Sequence, residues 1–192
     1  MKATLLRSLG LFVLIYVLLS LPLPALRTGY CALFRDAAEY IYGGDRGQRS
    51  LTYAPSSTDP YETQVTIANR SLLDTSGGGP VWNVDIDTMA LGWQPTALLT
   101  ALILATPIPF RRRLRSLALG LFFEQALIAG AFGYFIWVES SAVSLVSFTP
   151  FWNNVARGFA TLLKDQIGFG VPIVIWILAT FRRSDFAVLS GK

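Results

Sequence analysis

The stretch ATPIPFRRRLRS (residues 105–116) puts four arginines, Arg111, Arg112, Arg113 and Arg115, into five positions between two apolar runs. A basic block of this kind has three ordinary uses. It tracks a nucleic-acid backbone, it meets an acidic protein partner, or it marks the cytoplasmic edge of a membrane span. What flanks it decides among them.

The chain has 192 residues, of which 53% are hydrophobic and 15% charged, with a formal net charge of +4. Ordinary soluble domains are about 25% charged. The apolar residues collect in blocks: LGLFVLIYVLLSLPLPAL (9–26), MALGWQPTALLTALILATPIPF (89–110), LALGLFFEQALIAGAFGYFIWV (117–138) and IGFGVPIVIWILATF (167–181). Only Glu124 interrupts them with a charge. A membrane-crossing helix needs about 20 mostly apolar residues. These blocks predict an α-helical polytopic membrane protein with about four transmembrane helices, at 5–26, 89–110, 117–138 and 164–181. A small α+β extracytoplasmic domain, 27–88, is inserted between the first two. The expected contact with a lipid bilayer follows from the spans themselves.

Short loops rich in Lys and Arg stay cytoplasmic. The arginine block then sits in a cytoplasmic link between helices two and three, and both termini are cytoplasmic. Lys2 and Arg7 precede the first block, and Arg182, Arg183 and Lys192 follow the last. The inner segments carry nine basic residues and one acid, Asp185; the outer ones carry seven basic residues and ten acids. Nucleic-acid binding wants a long basic face along a backbone. A charge confined to a hairpin argues against it, so no nucleic-acid partner is expected. The first block resembles a signal peptide, but Pro22, Pro24, Leu26 and Arg27 make a poor cleavage site, and an uncleaved anchor is expected.

Outside the spans, TGYCALFRDAAEYIYGG (28–44) reads as a helix stopped by Gly43 and Gly44. RSLTYA, YETQVTIAN and PVWNVDID read as strands, with SSTDP and DTSGGGP as turns. Trp82 and Ile86 form the expected packing face of the last strand. A second outer segment, 139–163, has Thr149 capping Pro150, then Phe151, Trp152, Val155 and Phe159 on one side of an interfacial helix.

The chain contains no histidine and one cysteine, Cys31. That excludes Ser-His-Asp and Cys-His catalysis, His-based zinc sites and an internal disulfide. SGGGP lacks the lysine and helix start of a phosphate-cradling loop. No catalytic, cofactor-binding or metal residue is therefore predicted. Four candidate functional places remain. Glu124 is an acid inside a span, a functional position by default, whose structural rival is a hydrogen bond made with Gln125 to another helix. Asp85 and Asp87 share a strand face that could take a cation or a basic peptide. Lys164 and Asp165 could form a substrate contact at the mouth of the last block, but read mainly as a local surface ion pair. Cys31, without a histidine to activate it, reads as an inert thiol. Ala126 with Gly130, and Ala129 with Gly133, form small-xxx-small pairs for close helix packing.

GWQPTALLTALILATPIPFRRRLRSLALG (92–120) and FTPFWNNVARGFATLLKDQIGFGVPIVIWILATFRR (148–183) resemble the exosortase-associated integral membrane proteins, the small companions of exosortase H. Pro95, Pro107, Arg112, Pro150, Trp152, Pro172, Trp176 and Arg183 carry the resemblance. It implies a bacterial inner-membrane protein with residues 27–88 in the periplasm, accessory to protein sorting beside an exosortase-type membrane protease. Exosortases themselves are thought to use Cys, Arg and His. This chain has Cys31 and Arg157 without the His, which implies a companion that is not an enzyme. The alternative is an intramembrane enzyme or transporter subunit using Glu124.

Overall fold

The structure is a computed structural model that describes residues 2–21, 23–58, 60–72 and 79–181, without the side chains of 2–5, Arg46 and 164–168. Arg182, Arg183, Asp185 and Lys192, used above to orient the termini, lie outside the described residues. So do Asp59 and much of the turn at 74–80.

The elements run α1 (Lys2–Ser20), α2 (Pro24–Tyr42), β1 (Gly44–Arg46), β2 (Arg49–Pro55), β3 (Thr63–Asn69), β4 (Val81–Ile86), α3 (Gln94–Ala105), α4 (Phe110–Glu139) and α5 (Pro150–Thr180). A 3-10 turn (Arg70–Leu72) follows β3, a π-turn (Met89–Trp93) opens α3, and a second 3-10 turn (Ser140–Val143) follows α4. The chain forms two compact units: Met1–Pro22, Gly92–Ile128 and Gln166–Lys192 make the first, Leu23–Leu91 and Ala129–Asp165 the second.

In the second unit the strands form an antiparallel meander, β1-β2-β3-β4. β3 alternates strictly, with Thr63, Val65, Ile67 and Asn69 buried. That period of two is what puts one face of a strand into a core. Leu51 pairs with Ile67 and Tyr53 with Val65, so the apolar side chains of β2 and β3 share that face. Ala38 of α2 and Phe132 and Ile136 of α4 close the core over it. Phe132 is its centre, with ring centroids 5.3 Å from Phe34, 5.8 Å from Tyr42 and 6.2 Å from Tyr53. Trp82 departs from the expected packing face. Ile86 is buried, whereas Trp82 is 42% exposed and holds on through its indole N–H.

In the first unit α1 lies along α3, and Trp93 Nε1 donates to the Leu19 carbonyl at 2.8 Å. Leu99 and Ile103 of α3 form a small core with Ile175 of α5. A Cβ on Gly120 would come within 3.0 Å of Ile103 Cδ1, so glycine is what lets α4 approach α3.

The expected four transmembrane helices are not present. Among the described residues one helix, Phe110–Val143 with its 3-10 extension, is long and apolar enough to cross a membrane. The helices Leu6–Ser20 and Pro24–Tyr42 pass the same test only together, as one broken pair, which would make two. Hydropathy counts residues, whereas a span needs unbroken helix. The block at 89–110 spends its start on the π-turn and its end on PIPF, leaving the apolar helix Met89–Ala105. At 1.5 Å per residue that reaches roughly 25 Å, against about 30 Å of hydrocarbon. Phe169–Thr180, within the last block, is shorter still. The first block breaks after Ser20, and Pro24 begins α2. The interfacial helix expected at Pro150 and the last block form one continuous helix, α5, with Pro172 inside it.

Candidate functional site

The arginine block is not a loop. Pro107 and Pro109 end the preceding run, and Phe110 starts α4, so all four arginines occupy its first turns. Two of them close other helices. Arg112 donates to the Thr180 carbonyl at the end of α5 (2.7 Å), and Arg113 to the Thr106 carbonyl just past α3 (3.0 Å). Ser116 Oγ adds a bond to the Ala179 carbonyl at 2.8 Å, and Trp176 Nε1 donates to Thr106 Oγ1 at 2.9 Å. The last carbonyls of a helix lack intrahelical donors and form the negative end of its dipole, so cationic donors there satisfy both needs. Arg111 and Arg115 are exposed and form no ion pair among the described residues.

Glu124 lies on α4 with no exposed surface. Among the described residues, neither carboxyl oxygen has a hydrogen-bond donor in good geometry. The neighbouring Thr96 hydroxyl is committed elsewhere: it donates to the Gly92 carbonyl (2.7 Å) and accepts from Gln125 Nε2 (2.8 Å). Gln125 thus makes the interhelical bond by itself and leaves the acid out of it. The two small-residue pairs separate as well. Ala126 and Gly130 are exposed, with open space at Gly130. At Ala129 and Gly133 the backbone of α4 receives Tyr42, whose hydroxyl donates to the Ala129 carbonyl at 2.6 Å. A Cβ on Gly133 would stand 2.9 Å from that ring.

Two acids of the second unit carry more contacts than any sequence motif suggested. Glu62 pairs with Arg27 at 3.0 Å and accepts from the Thr88 amide at 2.9 Å, while its own carbonyl accepts from Arg35 at 3.4 Å. Glu139, mostly buried at the end of α4, accepts from Trp82 Nε1 at 2.9 Å and meets Arg157 of α5 at 3.4 Å. The partners of Glu139 lie 57 and 18 residues away in the chain, so no local spacing reveals them. The one available hint is an acid placed where an apolar run stops.

Asp85 and Asp87 are each engaged within the fold. Asp85 Oδ1 accepts from Ser56 Oγ (2.8 Å) and Gln64 Nε2 (3.3 Å); Asp87 Oδ1 accepts from the Ala90 amide (2.7 Å) and starts the π-turn. With Phe132, Phe135 and Leu163 they border a cavity of about 60 Å³. No group of three or more His, Cys, Asp or Glu that could hold a metal ion occurs among the described residues. Lys164 and Asp165 fall within α5, but their side chains lie outside the described residues.

Cys31 is buried on α2. Its thiol is pushed above the ordinary value by desolvation and then by the Glu62 carboxylate, against smaller opposing effects of Arg35 and Arg27. Only the thiolate is nucleophilic, so both burial and a raised pKa slow its chemistry. Iodoacetamide at pH 8 is expected to label Cys31 on the order of tenfold more slowly in the folded protein than in urea. Equal rates would show an accessible thiol of ordinary acidity.

Compared with protein-family models, characterised proteins and solved structures, the chain matches none.

Proposed function

We propose that the protein is a non-catalytic membrane protein of the bacterial envelope, an accessory to a membrane protease of the exosortase type. One observation carries the membrane part. Along the first half of α4, Phe110 to Leu127, several large apolar side chains point outward, with Phe110 74% and Phe122 67% exposed, while the acid Glu124 turns fully inward at 0%. Water favours the reverse arrangement, and lipid favours this one. Phe151 and Trp152 of α5 are exposed in the same way. The arginine end of α4 is then cytoplasmic and the sheet unit, which includes the Glu139 end, lies outside. The accessory part rests on the resemblance described above and on how the candidate residues are used. Cys31 is buried and poorly acidic, Arg157 pairs with Glu139, and Asp85 and Asp87 brace the sheet and the turn after it.

Two measurements test this reading. The protein should stay in the membrane fraction through an alkaline carbonate wash. Alkaline phosphatase inserted at Gly47, in the β1–β2 turn, should be active, and a fusion after Arg115 inactive. An active fusion after Arg115 would overturn the orientation. In a strain lacking the gene, Cys31→Ser should restore sorting as well as the native chain does; failure at normal protein level would make it an enzyme. The second reading, an intramembrane enzyme or transporter subunit working through Glu124, is favoured by the acid's burial without a donor.

A further inference from the structure

We propose that the first unit binds an anionic phospholipid, with the lipid phosphate held by Arg111 and Arg115 and an acyl chain lying between α4 and α5. Two adjoining grooves carry the inference. One, about 640 Å³, is walled by Leu119, Phe123 and Leu127 of α4 and by Val171, Val174 and Leu178 of α5. The other, about 600 Å³, is walled by Arg111, Arg112, Arg115 and Ser116, with Phe181 beside them. Leu119, Leu178 and Ala179 line both, so the apolar groove opens onto the basic one.

The two compartments differ in chemistry in the way the two parts of a lipid do. Among the described residues, no acid lines the basic groove. Arg112 and Ser116 are already fixed on the Thr180 and Ala179 carbonyls, which leaves the exposed guanidinium groups of Arg111 and Arg115 to meet an anion. A guanidinium fork matches two phosphate oxygens at once. The apolar groove along α4 from Leu119 to Leu127 measures roughly 12 Å at the helical rise, close to the depth of one leaflet, about half of 30 Å. Free phosphate would make no use of that groove, and a purely apolar ligand would make none of the arginines. Basic pockets between helices on the cytoplasmic side are where lipid headgroups of this charge are recognised.

This inference rests on the membrane reading above, which the carbonate wash tests separately. The full chain, purified in detergent, is exposed to phosphatidylglycerol or phosphatidylcholine of the same acyl chains, and retained lipid is counted by native mass spectrometry. Phosphatidylglycerol should be retained about tenfold better. Arg111→Gln with Arg115→Gln should abolish that preference, whereas Arg111→Lys with Arg115→Lys should keep most of it. Val174→Trp, which fills the apolar groove without touching charge, should reduce retention of phosphatidylglycerol to a comparable extent. Circular dichroism should be unchanged in all three, since the altered side chains are exposed. Equal retention of the two lipids would overturn the proposal. So would full competition by glycerol phosphate, which has the headgroup chemistry and no acyl chain.

Discussion

Phe132→Ala is expected to weaken the second unit by about 3–5 kcal/mol, the usual cost of deleting a buried phenylalanine. Phe132 is 3% exposed and touches aromatic rings from α2 twice and from β2 once. Removing it empties the space where the helix and the sheet meet. Tyr53, whose phenol burial pushes above its ordinary pKa and whose hydroxyl has no partner among the described residues, would then stand against a void. Amide exchange in β2 and β3 should speed up together, because they share that core. A loss below about 1 kcal/mol would mean that α2 and the sheet do not pack through this ring.

That core shows what the sequence could and could not reveal. β2, β3 and β4 fall where alternation and turn residues predict strands, because a half-buried strand writes its period into neighbouring positions. β1 is three residues long, Gly44–Arg46, too short for any period. The small-xxx-small spacing of Ala129 and Gly133 was legible as a close-packing signal. That Tyr42 fills it was not, since the contact spans 87 residues. The span count failed for a related reason. Hydropathy is a sum over a window, and it does not register that α1 ends at Ser20 or that α3 contains only 12 residues. Among the candidate residues, Glu124 was visible because a charge inside an apolar run is conspicuous. Its lack of a donor depends on where Thr96 and Gln125 point, which no one-dimensional pattern records.

Glu124→Leu is expected to stabilise the first unit. A buried acceptor left without a donor costs about 1–3 kcal/mol, and an apolar side chain of similar size removes that penalty. The melting temperature in detergent should therefore rise. Glu124→Gln should sit nearer the native protein, since the amide keeps the shape and remains polar. A fall in melting temperature for Glu124→Leu would mean that the acid has a partner holding it. On the accessory reading both variants support sorting. A more stable Glu124→Leu protein that inserts normally but loses all function would instead identify the acid as retained for activity at the expense of stability, and the second reading would take precedence.

The two helix-closing arginines differ in how far along the chain they reach. Arg113 finds the Thr106 carbonyl seven residues back, whereas Arg112 finds the Thr180 carbonyl 68 residues ahead. As the chain is synthesised, the end of α3 is closed as soon as the first turns of α4 form. The end of α5 stays open until nearly the whole chain has been made. Loop-closure entropy separates these events even in refolding, because the longer loop must be ordered first. The α3–α4 hairpin is therefore an early piece, and the docking of α5 on Arg112 and Ser116 is a late one. Truncations that stop before Pro150 should leave the hairpin formed and the site for the last helix vacant.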